Sequence, residues 1–323
     1  MTQRKRRRAL TVATCSAIAL NALPLGARAA VVPGTACNLL PADNVWHADV
    51  SKLPLDPSGP LYLATSGSAA LKLHPDFGAY PYGMPFNVVD NTRATGTLQF
   101  QYASESDPGP YPVGADLKIE GTPNDGGDDH ALTVNRDTCT LYEVWHAQLA
   151  TSPYTGGSGA VFPLSSDALR PATWTSADAA GLPILPGLLS YDEVLAGKVD
   201  HAIRFTMVHT QNAFVWPARH QAGTTGPVFP PMGERFRLQS TFDESTYSAA
   251  ARTIIEGMKH YGLILADNGS NWFFQGTQDS RWPDALIAEL KTIPAASFEA
   301  VDESSLMLDP NSGATRQCGG PCS

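Results

Sequence analysis

The chain has 323 residues, 43% of them hydrophobic, and sets 22 Lys and Arg against 31 Asp and Glu for a formal net charge of −9. That is enough apolar material for a sizeable core, and an acidic surface repels polyanions at long range, which disfavours nucleic acid and anionic membranes as partners. Uronic-acid polymers are disfavoured on the same ground unless a local cationic cleft overrides the overall field.

The first predicted element is a leader. A basic run from Arg4 to Arg8, a short interrupted apolar stretch and Ala27-Arg28-Ala29 form the pattern of a secretory signal peptide over residues 1–29. Its removal takes six basic residues and no acidic one, leaving a net charge of −15. The mature protein is expected outside the cytoplasm, extracellular or periplasmic, with no membrane-spanning segment after the leader. Residues 30–323 contain no long linker and read as a single β-rich domain with C-terminal helices and a disulfide-tied tail. Cys15 leaves with the leader, so Cys37, Cys139, Cys318 and Cys322 meet an oxidising compartment, where an even count points to two disulfides. Cys318 and Cys322 suit one small loop, which pairs Cys37 with Cys139; the crossed pairings stay open.

Along the mature chain the apolar runs are short and alternate with period two: "LYLATS", "TLQFQYA", "HALTV", "TLYEVW", "AIRFTM", "AFVWP" and "RFRLQS". Bounded by Gly, Pro and Asn, they predict strands between Leu61 and Ser240, hence a mostly β fold, a β-sandwich or jelly roll with a few covering α-helices. "SADAAG" before Leu182 suggests a brief helix. "STYSAAARTIIEGMKHYG" places Tyr247, Ala251, Ile254, Met258 and Tyr261 on one helical stripe between a Ser245 cap and a Gly262 stop, and "PDALIAELKTI" opens a second helix at Pro283.

The chemistry gathers around "DDHALTVNRDTCTLYEVWHA". If Val134 and Cys139 close a turn between two strands, Leu132 pairs with Leu141 and His130 faces Glu143. A carboxylate beside an imidazole suits acid and base work; a bland cross-strand pair is the alternative. Glu105, Asp107 and Glu120 lie just upstream among prolines and glycines, and "NDGGDD" with Asp125, Asp128 and Asp129 has the composition of a Ca2+ loop without the EF-hand ligand order. "DHALTV" is echoed by "DHAIRF": either two hairpins share one local recipe, or His130 and His201 stand near each other at one rim, and His201 and Arg204 join the candidate substrate contacts. Trp216, Arg219 and His220 in "VWPARH", and Asp267 and Asn271 in "ADNGSNWFF", are candidate substrate contacts, since Trp stacks on sugar rings and Arg offers a planar fork. The chain holds no HExxH, GxGxxG or P-loop signature and no metal-ligand pattern.

Read together, "ESDPGPYP", "WTSADAAGLPILPG", "YDEV", "HAIRFT", "VWPARH", "PPMG" and "ADNGSNWFF" resemble a widespread family of secreted proteins of soil bacteria, from "LPADNVW" to "FEAVDESSL". The resemblance implies an extracellular protein acting on environmental polymers and assigns no catalytic residue. The sequence expectation is therefore a secreted carbohydrate-active enzyme, a glycoside hydrolase acting on a neutral polysaccharide. In it His130 and Glu143 pair, with Glu105, Asp107 or Glu120 as the partner acid. One alternative is a polysaccharide lyase using His130, His201, Arg204 and Tyr142. The other is a non-catalytic carbohydrate-binding protein.

Overall fold

In the computed structural model of the chain, residues 30–121 and 126–316 are described. The predicted leader, Asp125, Cys318 and Cys322 lie outside them. The described residues hold 14 strands in four sheets, with few helices. The fold is mostly β.

The larger sheet has six strands. Strand β1 (His74–Asp76) is one edge, followed in space by β13 (Phe273–Gln275), β10 (Ile203–Met207), β12 (Leu263–Asn268), β11 (Arg235–Leu238) and β14 (Phe298–Val301). The second sheet runs β2 (Phe86–Val89), β6 (Ala131–Asn135), β7 (Thr140–Trp145) and β9 (Ser158–Pro163). Two small ladders, β3 (Thr95–Gly96) with β5 (Tyr111–Pro112) and β4 (Gln99–Phe100) with β8 (Thr155–Gly156), complete the set. Both large sheets are mixed, because β10 runs parallel to β12 and β2 parallel to β6.

One main core joins the two large sheets, with Leu132, Val134, Leu141 and Ala160 from the second and Ile203, Phe205, Leu263 and Phe274 from the first. Phe205, Phe236, Trp272 and Phe298 meet edge to face or tilted at about 5.5 Å, a geometry that aromatic quadrupoles favour. A smaller core of Leu98, Tyr111, Val113, Ala131 and Val144 lies on the other face of the second sheet, which is why β6 and β7 are buried on both sides.

Helix α3 (Ala249–His260) buries Ala251, Ile254, Ile255 and Met258 and packs on β11. Its cap is Ser248, whose hydroxyl accepts from Ala251 N, three residues after the expected Ser245. Helix α4 (Asp284–Leu290) follows Pro283 as expected, and α2 (Tyr191–Leu195) starts with a Ser190/Glu193 capping box. Three local expectations are corrected. "LYLATS" is helical from Leu61 to Thr65, the last five residues of α1 (Gly59–Thr65), with Ser66 as its C-cap, because Pro60 in the first turn, preset for helical φ, outweighs an alternating pattern. "AFVWP" forms a single bridge, Phe214 to Met232, and Pro217, which has no N–H to give, ends any ladder there. "SADAAG" is a turn, since Ser176 spends its hydroxyl on bonds with Leu182 O and Asp178 N that replace helical ones.

The Cys37–Cys139 disulfide ties the N-terminal segment to the turn before β7, across 102 residues of sequence. Among the described residues no helix is long and apolar enough to cross a membrane.

Candidate functional site

A buried layer of ionisable groups lies between the two large sheets, and the segment 176–185 holds it together. Each sheet grips this segment by polar bonds. From the second sheet, His130 Nε2 meets Ala177 O at 3.0 Å, Ser158 Oγ donates to Ser176 O at 2.6 Å, and the Glu143 carboxylate accepts from Ile184 N and Leu185 N at 2.9 Å. From the six-stranded sheet, Arg204 forks onto Asp178 at 2.8 and 3.0 Å, while Ala180 N donates to Ala266 O at 2.9 Å.

The hairpin register differs from the expected one by two residues. Leu132, in place of His130, lies opposite Glu143, because Asn135 and Thr140 still pair and the turn is four residues long. A slip of two keeps every side chain on its face, so Glu143 and His130 remain diagonal neighbours. Their roles separate, however. Glu143 is fully buried and caps backbone N–H groups; burial, the leading influence, pushes its carboxyl up to about 7 against the pull of those two bonds. His130 takes Glu120 as its carboxylate partner through Nδ1. Burial disfavours the imidazolium, yet the Glu120 charge and hydrogen bond outweigh it and hold His130 up at about 9. With both ring nitrogens engaged, His130 is a fixed cation, which removes it as a proton-accepting base.

Glu120 is thereby held ionised. Burial pushes its carboxyl upward, and His130 and Arg204 more than reverse this, bringing it below the usual range. Asp267 goes the other way: burial and then the Asp178 charge push it up to about 7 despite Arg204 and His130. Both side chains are only partly buried, at 23% and 24% exposure. Asp267 reaches Arg204 at 3.5 Å because of a β-bulge. Phe205 pairs with Leu265 but Thr206 pairs with Asp267, so Ala266 is an extra residue that returns Asp267 to the face carrying Arg204 and Thr206. Asp76 on β1 joins the same group; burial and the Glu120 charge raise its carboxyl against a hydrogen bond from Gln275. Two buried atoms here, Arg204 Nη1 and Gln275 Oε1, have no hydrogen-bond partner among the described residues.

The structure thus brings together His130, Glu120, Arg204 and Asp267 of the expected residues, and adds Asp76 and Asp178. The others lie in separate arrangements. Asp107 accepts from Arg170 and Val161 N, and Glu105 accepts from Thr175 N with His220 at 3.8 Å. Arg219 is 5% exposed and donates from Nε, Nη1 and Nη2 to Arg170 O, Pro310 O and Asn311, so its fork is spent inside the protein. Trp216 Nε1 donates to Ser312 O, His220 Nδ1 lies 2.9 Å from Ala179 O, and Asn271 accepts from Val208 N to close a turn. His201 is buried against Glu193 at 3.1 Å and Ala202 O at 2.7 Å, in a separate ion pair from that of His130. Asp128 accepts from Trp145 Nε1, and Asp129 stands 3.9 Å from His146 Nδ1. Among the described residues no group of three or more His, Cys, Asp and Glu side chains is disposed to hold a metal ion. Two surface hollows, about 500 Å³ beside β2 and about 650 Å³ beside α3, share no residue with the carboxylate group.

Comparison with known proteins adds little to this geometry. No protein-family model matches the chain, and no solved structure matches it. Uncharacterized proteins of Mycobacterium tuberculosis and Mycobacterium bovis are similar at 29% identity over 119 residues, 36% of this chain. The matched region covers 53% of each relative, so the chain spans about half the length of the curated relatives it matches.

Proposed function

We propose that the chain is a secreted glycoside hydrolase acting on a neutral polysaccharide, with Asp267 as the proton donor and Glu120 as the basic carboxylate. Glycosidic cleavage needs two carboxyl groups of opposite protonation state at one opening. The observation that supports this reading is that Glu120 and Asp267 border the same buried Arg204 and His130 yet are driven apart in acidity. Environments that separate two carboxyls in this way assign acid and base roles. Asp267, protonated up to about pH 7, gives its proton to the leaving oxygen. Water adds its oxygen to the anomeric carbon as the leaving oxygen departs with the Asp267 proton, and Glu120, already ionised, takes the proton that this water loses. Arg204 and His130 act without touching substrate: they hold Glu120 charged and fix the geometry of Asp178 and Asp267. A net charge of −15 favours uncharged polymers over uronates.

The test is incubation of the purified mature protein with neutral and acidic polysaccharides, measuring reducing ends and the absorbance of unsaturated sugars. Hydrolysis produces the first without the second. E120Q should abolish turnover while keeping substrate bound; cleavage by E120Q at the wild-type rate would refute the assignment.

A further inference from the structure

Trp145 lies at the open end of the β6–β7 hairpin, beside the residues that lead to His130. Ala131 pairs with Val144 as the outermost pair of the ladder; His130 precedes the one and Trp145 follows the other, and just beyond them His146 N donates to Asp128 O at 2.9 Å. On its other side Trp145 pairs with Ser158. The indole lies flat on Gly157, where a Cβ would come within 2.0 Å of its Cε3, so only glycine lets the ring lie there. Its Nε1 is tied to Asp128 at 3.2 Å. Two further rings extend the surface. Tyr102 stands 6.2 Å from Trp145 at 33° and is 45% exposed; His146 stands 5.7 Å away at 43°, with its side chain 54% exposed. Asp129 and His146, at the strand ends, both hold left-handed backbone (φ 50° and 53°).

From this geometry we infer that Tyr102, Trp145 and His146 form an aromatic platform that stacks the pyranose rings of a neutral glycan chain leading to Glu120. The inference rests on the glycan reading above and adds to it a binding surface for the flanking sugar units. Sugar rings present flat C–H faces that settle on aromatic π-faces, while their edge hydroxyls need polar groups alongside. Asp128 and His146 flank the indole here. The tie from Asp128 and the glycine floor hold the ring in place before substrate arrives, which lowers the ordering cost of binding.

The experiment titrates E120Q, alone and combined with Y102A or W145F, with cellohexaose, laminarihexaose, xylohexaose and mannohexaose, following tryptophan fluorescence. Steady-state hydrolysis of the best-bound polymer is then compared for wild type and Y102A. Y102A changes an exposed side chain, so folding is expected to survive; W145F retains a ring should a smaller residue unfold the sheet. Support consists of a Kd raised about tenfold by either substitution and a KM raised more than kcat is lowered. Wild-type Kd in both variants, or binding of none of the four sugars by E120Q, overturns the platform. Hydrolysis with a KM indifferent to Y102A refutes the platform and leaves the hydrolase reading intact. Binding that depends on Tyr102 in a wild-type protein that hydrolyses nothing does the reverse.

Discussion

Glu120 and His130 are bonded twice. The Glu120 backbone N–H donates to His130 O at 2.9 Å, and His130 Nδ1 donates back to the Glu120 carboxylate. The loop carrying Glu120 is thus clamped to the first residue before β6, and the pair behaves as one charged unit, 2% exposed on the histidine side.

Replacing His130 by Asn should therefore raise the pKa of Glu120 and shift the acidic limb of the pH–rate profile upward, besides destabilising the fold. Because the folded pKa of His130 lies near 9, above the ordinary 6.5, its contribution is fully present below pH 6.5 and is lost as pH rises through 9. That shift corresponds to roughly 3 kcal/mol. Urea denaturation of wild type and H130N at pH 6 and pH 9.5 checks it: the gap between them should shrink at the higher pH.

A second pH effect comes from buried acids. Glu143 and Glu303 are pushed up to about 7, chiefly by burial, and Glu234 is raised well above its ordinary value by burial and neighbouring acids. Carboxyls that stay protonated in the fold while the unfolded chain releases its protons favour folding below about pH 4.5 and lose that contribution as pH climbs to 7. The denaturation midpoint should fall between pH 5 and pH 7.5, and E303Q should flatten the slope. An unchanged slope in E303Q would exclude Glu303 as a source.

Enzymatic turnover should decline above about pH 7 as Asp267 loses its proton, and D267N should remove turnover across the whole range. Initial rates from pH 4 to 9 on the best polymer read this directly.

Arg204 is fully buried with Asp178, so removing either charge strands the other. R204M is expected to cost about 3–5 kcal/mol of stability, and R204K to recover only part of it because an ammonium does not reproduce the two-pronged bond. Chemical unfolding of the two variants separates lost charge from lost geometry.

Substituting Ala for both Cys37 and Cys139 should lower stability by about 2–5 kcal/mol, as expected for a crosslink closing a long loop. Turnover should be little affected, since the bridge joins the turn end of the hairpin and His130 lies at the open end. Thermal melts with paired activity assays test both statements.

Much of the architecture was readable from residue pattern. The alternation in "HALTV", "TLYEVW", "AIRFTM" and "RFRLQS" marked β6, β7, β10 and β11, and the stripe from Ala251 to Met258 marked α3. Compartment and spacing pointed to the Cys37–Cys139 pair. The site was legible only in part. Alternation fixes which face a side chain takes and leaves a slip of two residues undetermined, so Glu143 was expected opposite His130, whose carboxylate partner is Glu120. Asp178 sits in a turn built by Ser176, and Asp76 in a three-residue strand; neither carries a local pattern that announces a partner far along the chain. The polar character of "VWPARH" suggested a surface site, whereas Arg219 is consumed in bracing the segments at Arg170 and Pro310.

The extra alanine in β12 carries a wider implication. Deleting Ala266 would remove the bulge and leave Asp267 directly after Leu265, still opposite Thr206 on the face of Arg204, whereas one more residue inserted before Asp267 would turn it by half a period to the other face. The placement of this acid thus withstands loss of the bulge and not a further lengthening of the strand.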